Sequence, residues 1–328
     1  MLYIYNDSIN PYFNLACEEY VLKNFEDDCF MLWRNGPSII IGKNQNTLSE
    51  INLEYVRNNN IPVVRRLSGG GAVFHDLGNL NFTFTSGSKD KNFNDFKKFT
   101  LPIIEVLNNL SVNAEFSGRN DITIEGKKIS GNAQYSIGNR MLHHGTLLFA
   151  SQIADISAAL KVKEAKFEGK SVKSVSSRVT NISSHLKTPL DIMKFTQLIM
   201  EHVKNTDNEG TIYDLTNEDI SNIQKLADEK YSTWEWNFGG SPKYTFHNEK
   251  KLPGGLVEAY LDVKGGIITS AKIYGDFFGM EDISALEGVL LGIKHDEGQL
   301  AKALSSIDIT KFISGISVDD LVFVLWGI

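Results

Sequence analysis

The chain has 328 residues, 42% hydrophobic and 22% charged, an ordinary balance for a folded soluble protein and enough length for about two domains with a sizeable core. Its 33 Lys and Arg against 40 Asp and Glu give a formal charge of −7, which disfavours a general nucleic-acid binder while leaving room for a local basic patch. Cys17 and Cys29 are the two cysteines and form no CxxC pair, so neither a disulfide framework nor a cysteine zinc site is supported, and a reducing cytoplasm is the expected location. The opening MLYIYNDSINPYF lacks the basic start and long apolar stretch of a secretory signal. No run approaches the ~20 apolar residues of a spanning helix, so no membrane association is expected.

In chain order, Asn10-Pro11 opens a helix, because Asn caps well and Pro fits the first turn; Phe13, Cys17 and Val21 then recur on one face beside Tyr12, Ala16 and Tyr20. β-rich runs follow at Cys29–Trp33 and Ser38–Ile41, then a helix near Ser49–Arg57 and a strand Pro62–Arg66 ending in Ser68-Gly69-Gly70-Gly71. Ala72–Phe74 and the alternating Asn81–Thr85 read as strands and Asn94–Asn109 as a helix. Asp121–Ile124, Lys128–Gln134 and Met141–Phe149 read as further strands, the first two joined by a turn at Glu125-Gly126-Lys127. From Leu160 to Arg178 the chain turns basic, small-residue-rich and weakly periodic, the pattern of a mobile surface loop. Helices are expected over Asp191–Lys204 and Glu218–Lys230. The aromatic run Trp234–Phe238 breaks at Gly239-Gly240-Ser241-Pro242, which divides the chain into domains 1–245 and 246–328. The second contains a hairpin, Leu256–Val263 and Ile267–Tyr274 around Lys264-Gly265-Gly266, and two or three short helices, a small α+β unit.

The densest candidate for chemistry is Arg65-Arg66-Leu67-Ser68-Gly69-Gly70-Gly71-Ala72-Val73-Phe74-His75-Asp76. Three glycines after an apolar strand let backbone N–H groups approach an anion unobstructed, and two arginines at the strand end add charge-assisted donors for phosphate or carboxylate. A flexible turn with solvated arginines is the alternative; the paired Arg and His75 favour a site. Two decoys fail as Walker loops. Gly169-Lys170-Ser171 has Glu164 at the required upstream glycine, and Gly36 to Gly42-Lys43 has one residue too many and continues with Asn44.

A second constellation joins Gly118-Arg119-Asn120-Asp121 to Lys127-Lys128-Ile129-Ser130-Gly131-Asn132. Asp121 at a strand start can hold Mg²⁺, and Lys128 can meet a ligand anion as a point cation. Lys128 is preferred over Lys127 because Ile122 and Ile129 would face the core and leave Lys128 on the opposite side. In His143-His144-Gly145-Thr146 the two histidines point to opposite faces, so they cannot chelate one metal; one is expected in the core, the other at a pocket mouth beside Gly145. No G-x-S-x-G elbow exists, and both cysteines fall in segments read as core.

Together RRLSGGGAVFHDLGNLNFTF, GRNDITIEGKKISGNAQ, HHGTLLF, SVSSRVTNI and WEWNFG resemble lipoate–protein ligases, in the order and rough spacing of that family, from about Tyr12 to the carboxyl end. The resemblance implies a biotin-ligase-like α/β (α+β) catalytic domain with mixed sheets and flanking helices, followed by a small accessory domain. It implies that lipoate attacks the α-phosphate of ATP and that lipoyl-AMP then acylates an acceptor lysine. Lys128 would bridge the two anions, touching both carboxyl and α-phosphate. Arg66, the Gly71-Ala72-Val73-Phe74 backbone and Ser177-Arg178 would contact the nucleotide. Arg65, Ser68, Gly69 and Gly70, with His75, His144 and Gly145, would shape the lipoyl pocket, and Asp121 would hold Mg²⁺ with Asn120 nearby. The segment Leu160–Arg178, anchored at Ser177–Asn181, resembles the family's adenylate-covering segment.

Two other readings share these features. An ATP-independent octanoyl or lipoyl transferase would need an acyl-carrying cysteine, and neither Cys17 nor Cys29 lies in the glycine, Lys128 or His144 segments. A non-catalytic lipoate-binding module would not need Lys128 and the complete glycine loop. The implied acceptors are lipoyl domains of 2-oxoacid dehydrogenase E2 subunits and the glycine cleavage H protein, and the protein is expected to act as a monomer. An acidic acceptor would be met by Lys161, Lys163, Lys166, Lys170 and Lys173, or these merely solvate the loop.

Overall fold

A computed structural model describes residues 1–45, 47–87, 95–160, 178–206, 210–237, 246–264 and 267–326. The first part of the chain carries strands β1 (Leu2–Asn6), β2 (Cys29–Trp33), β3 (Ser38–Ile41), β4 (Val63–Arg65), β5 (Val73–His75), β6 (Asn79–Gly87), β7 (Ala114–Ser117), β8 (Asp121–Ile124), β9 (Lys127–Ile137), β10 (Arg140–Leu148) and β11 (Thr211–Ile212). Among the described residues they form an eight-stranded sheet, β11-β1-β2-β6-β10-β9-β8-β7, and a three-stranded sheet, β4-β3-β5. In the large sheet β1 runs parallel to β2 and β11, and the other neighbours are antiparallel.

Among the described residues the α-helices of this part are α1 (Pro11–Asn24), α2 (Thr47–Glu50), α3 (Leu53–Asn58), α4 (Phe96–Asn109), α5 (Ile153–Ala159), α6 (Ile192–Asn205), α7 (Asn217–Leu226) and α8 (Trp234–Asn237). As expected, Asn10 caps α1, its side chain accepting from the backbone N–H groups of Tyr12 and Phe13. Period-two alternation divides the interior. Phe30 and Leu32 of β2 join Leu80, Phe82 and Phe84 of β6 in a core closed by Phe99 and Ile103 of α4 and Phe195 and Ile199 of α6. Cys29, Met31 and Trp33 face the other way, onto Phe13, Cys17 and Val21 of α1 and onto Ile40 and Val64 of the small sheet. The space between the two sheets is where the candidate site lies.

Two expected helices differ in detail. The run Ser49–Arg57 is split, because Ile51 pairs with Leu160 in an antiparallel bridge and Asn52 starts α3 afresh by accepting from the Tyr55 N–H. Helix α7 continues after Leu226 as a π-turn over Ala227–Tyr231. Strands β1, β7 and β11 were not legible beforehand.

The carboxyl-terminal part has an antiparallel sheet of β12 (Phe246–Leu252), β13 (Gly255–Lys264) and β14 (Ile267–Gly275), with α9 (Ile283–Leu290), α10 (Glu297–Leu304) and α11 (Val318–Trp326). It has its own core, where Val257, Ala259, Leu261 and Ile273 meet Leu286, Leu300, Leu321 and Leu325. The break proposed at Gly239–Pro242 lies outside the described residues. The turn after β14 returns to the first part of the chain: the Gly70 N–H donates to Phe277 O at 3.3 Å, and Lys43 Nζ pairs with Asp282 at 2.8 Å. Among the described residues no helix is long and apolar enough to cross a membrane.

Candidate active site

The glycine loop joins β4 to β5, and its three glycines meet three different demands. A Cβ on Gly69 would sit 2.2 Å from Phe277 O, so that glycine permits close approach of the carboxyl-terminal part. Gly70 has φ +94°, a conformation that L side chains rarely adopt. A Cβ on Gly71 would meet open space, because this residue borders the cavity.

The two arginines separate sharply. Arg66, buried, folds back on the loop and donates to Gly69 O at 2.6 Å, Gly71 O at 2.9 Å and Ser68 Oγ at 3.0 Å while lining the cavity. Arg65 does not line the cavity, which corrects the expectation that it shapes a lipoyl pocket. Its guanidinium donates to Gly42 O, Lys43 O, Gln45 O, Trp236 O, Asn237 O and Thr47 Oγ1, at 2.6 to 3.2 Å. Trp236 Nε1 donates back to Arg65 O at 2.8 Å, so the aromatic segment seen in the sequence clasps strand β4. Burial lowers both guanidinium pKa values to about 10, still cationic at neutral pH.

On the large sheet, Lys128 reaches the cavity from β9 while Ile129 is fully buried, as strand alternation required. The tight turn before it has positive φ at Glu125 and Gly126, +52° and +75°. Lys128 Nζ rests 2.8 Å from Asp121 Oδ1, both side chains more than a third exposed. Gly131 allows the lysine to lie across the strand: a Cβ there would fall 2.9 Å from Lys128 Nζ. Asp121 itself does not line the cavity, whereas its neighbour Asn120 does. The Lys128 backbone pairs with the returning chain, donating to Arg178 O at 2.8 Å and accepting from the Thr180 N–H at 3.0 Å. Arg178 therefore sits at this edge without lining the cavity; Ser177 and the loop lysines lie outside the described residues.

The histidines divide as alternation predicted. His143 is buried against Phe99 at 4.8 Å and Phe82 at 5.9 Å, and its pKa is driven well below the usual imidazole range by desolvation. His144 lines the cavity with Gly145. It lies in a buried chain: Ser68 Oγ is 2.6 Å from His144 Nε2, Glu18 Oε1 is 2.9 Å from His144 Nδ1, Thr83 Oγ1 donates to Glu18 at 2.6 Å, and Trp33 Nε1 donates to Thr83 at 3.0 Å. His75 also lines the cavity, with burial, then Arg66 and His144, lowering its pKa to about 3.

Gly70, Gly71, Ala72 and Val73 border the cavity, but Phe74 turns into the core with Ile39, Ile41 and Leu148, and Ser68 and Gly69 do not line it. Sequence reasoning missed Glu18, Trp33, Asn81 and Phe278. Glu18 and Trp33 sit in runs read simply as a helix and a strand. Phe278 comes from the carboxyl-terminal part, 4.4 Å beneath the Arg119 guanidinium and packed on Phe96. Cys17 and Cys29 are fully buried and border nothing open, and burial pushes both thiol pKa values upward.

Residues 10–204 match the family model of the lipoyl protein ligase A/B catalytic domain, and 241–325 match that of the bacterial lipoate protein ligase carboxyl terminus. The chain belongs to the lipoate–protein ligase family. It is 45% identical over 331 aligned positions to the lipoate-protein ligase LplJ of Bacillus subtilis, spanning 99% of this chain and 100% of that one. Among solved structures, P. falciparum LipL1 in complex with lipoate superposes with a TM-score of 0.83 at 26% identity, covering 100% of this ligase and 99% of its own chain. A lipoate-protein ligase A bound with ATP matches 72% of this chain and 98% of its own at a TM-score of 0.64 and 27% identity. The bipartite ligase of Thermoplasma acidophilum, described with its E2 lipoyl domain, matches 74% and 98% at a TM-score of 0.66 and 30% identity.

Proposed function

We infer that this ligase activates lipoate with ATP to lipoyl-AMP and transfers the lipoyl group to a lysine of acceptor lipoyl domains. The observation that carries the reading is the Lys128 ammonium on the wall of a cavity whose opposite wall is the bare backbone of Gly70 and Gly71, backed by Arg66. Both reactants of the first step are anions, and a fixed cation with exposed N–H groups reduces their repulsion as negative charge redistributes.

In that step a carboxylate oxygen bonds to the α-phosphorus and the bond to pyrophosphate breaks. Lys128 leaves Asp121 to contact the carboxylate and α-phosphate, while Arg66 and the Gly71–Val73 backbone hold the nucleotide. In the second step the acceptor amine attacks the lipoyl carbonyl, loses a proton, and AMP departs. The apolar lipoyl chain lies along Trp33, Val73 and Ala133 beside His144 and Gly145, each buried methylene contributing about 0.8 kcal/mol. Arg178, paired to the Lys128 backbone, anchors the covering segment beside the adenylate.

Mg²⁺ takes one or two carboxylates plus substrate phosphates, and the accessible Asp121 carboxylate beside Asn120 fits that donor set. Bound there, the ion would neutralise phosphate charge. The acceptors are lipoyl domains of 2-oxoacid dehydrogenase E2 subunits or the glycine cleavage H protein, met by a monomeric cytoplasmic enzyme in two domains divided near residue 245. The test is pyrophosphate release from ATP in the presence of lipoate alone. Release that depends on lipoate supports the ligase, and its absence from a folded preparation refutes it.

A further inference from the structure

The cavity holds buried donors that no protein group satisfies, and they cluster at one end. His75 is 3% exposed and Asn81 is 1% exposed; His75 Nε2 and Asn81 Nδ2 both lack a hydrogen-bond partner, and both residues line the cavity. A buried unpaired polar group is costly and calls for a physical explanation.

Hydrogen bonds to neighbouring side chains set the roles: the Asn14–Asn35 contact fixes His75, and the Asn79–Asn81 pairing orients Asn81. Asn14 Nδ2 donates to Asn35 Oδ1 at 2.8 Å, which turns Asn35 Nδ2 toward His75 Nδ1 at 3.0 Å. His75 Nδ1 is therefore the acceptor, and the ring proton is on Nε2. Asn79 Nδ2 donates to Asn81 Oδ1 at 2.9 Å, leaving the Asn81 NH₂ group to face the cavity. His143 offers a contrast: its unpartnered Nε2 is packed among Phe82, Phe96 and Phe99 and does not line this cavity.

Sheet register places the two donors away from Lys128. Asn81 is the cross-strand neighbour of Trp33, and the His75 ring stands edge-on to Trp33 at 6.4 Å. From β2, which carries Trp33, to β9, which carries Lys128, the order β2-β6-β10-β9 takes three strand spacings, roughly 14 Å. That separation is on the scale of an extended lipoyl chain. With its carboxylate at Lys128, lipoate presents its cyclic disulfide to the Trp33 end, where a disulfide sulfur is the one weak acceptor the substrate offers.

We propose that His75 Nε2–H and Asn81 Nδ2–H form a sulfur-recognition pair that distinguishes the dithiolane of lipoate from the plain alkyl end of octanoate. This rests on the lipoate-activating reading above and adds to it a basis for choosing between fatty acids. Octanoate would enter the same slot, displace any water there, and leave both donors unpaired.

The test compares kcat/KM for lipoate and octanoate in the pyrophosphate-release assay, together with calorimetric binding of each acid, for the full chain and for His75→Leu, His75→Gln and Asn81→Leu. The lipoate-to-octanoate ratio should fall about three- to tenfold in His75→Leu and in Asn81→Leu, the scale of one hydrogen bond, and should recover partly in His75→Gln, which restores a donor. The ¹⁵N-edited Nε2–H resonance of His75 in the wild-type chain should move on lipoate binding and not on octanoate binding. A ratio that stays within twofold in both leucine variants, or a resonance that moves equally with the two acids, overturns the proposal. Should a Leu variant fail to fold, the resonance decides. Should the wild type release no pyrophosphate, the activation reading fails, and the calorimetric preference with the resonance still judges sulfur recognition.

Discussion

Replacing Arg65 with Met tests whether the first arginine of the glycine motif is structural, as its hydrogen bonds indicate, or a ligand contact. The substitution removes donors from five carbonyls and one hydroxyl that converge on a buried guanidinium. At a net ~1 kcal/mol per hydrogen bond, partly offset by no longer burying a charge, the loss comes to about 4 kcal/mol. For a chain of this size 1 kcal/mol moves the midpoint by about 2–4 °C, so the thermal midpoint should fall by roughly 10 °C. Arg65→Lys should lose most of the same stability, because an ammonium cannot reproduce the planar fork. The assay is thermal unfolding followed by circular dichroism at matched pH, with lipoate binding measured on the same preparations. A midpoint within about 3 °C of wild type together with lost lipoate binding would refute the reasoning and restore Arg65 to the pocket.

Lys128→Ala should behave oppositely: its ion pair with Asp121 is solvent-exposed and worth about 0–1 kcal/mol, so the melt should barely change, while pyrophosphate release falls by about 10²–10³. A folded Lys128→Ala protein with near-normal release would remove the cation from the mechanism. Gly131→Ala places a methyl 2.9 Å from Lys128 Nζ, the flexible end of a side chain, so it should reduce lipoate-dependent release without unfolding the protein, and a variant with wild-type kinetics would count against that lysine pose. Acid should destabilise the fold through His75 and His143, whose pKa values are lowered by burial, His75 to about 3. Between pH 6.5 and about 3 the unfolded chain binds the protons that the folded one refuses, so stability is present above the unfolded pKa and declines as pH falls, by about 1.4 kcal/mol per pH unit per imidazole. Denaturant titrations at pH 7 and 5.5 should show it, and a His143→Gln variant retaining the full slope would contradict the assignment.

How much of this was legible beforehand depended on whether a residue's role follows from local pattern or from a partner distant in sequence. Strand alternation alone separated Ile129 from Lys128 and His143 from His144, since a buried sheet fixes the face of every side chain. The Asn10-Pro11 start and the Glu125-Gly126 turn were readable because each demands a particular backbone chemistry. Arg65 and Arg66 could not be told apart this way. Their fates are set by Gln45, Thr47 and Asn237 on one side and by the glycine loop on the other, and spacing along the chain carries no trace of that. Glu18 was hidden for the same reason: in the sequence it is one more polar position on a helix, and only the crossing of β6 and β10 over α1 brings Thr83 and His144 to its carboxylate.

Phe278 extends the point to the domain level. It lines the cavity beside Gly70 and carries the Arg119 guanidinium on its face, and Arg119 also donates to Gly254 O, so both ends of that cation–aromatic contact tie the carboxyl-terminal part to the site. A boundary drawn from a glycine-proline break treats the second part as an appendage, yet Gly69 has no room for a Cβ because the Phe277 carbonyl occupies it. The bare backbone that makes the loop suitable for an anion is thus also the surface on which the second part rests. A Gly69→Ala change would have to separate the two parts before it touched the chemistry, because the Cβ would meet backbone, which cannot yield as a side chain can.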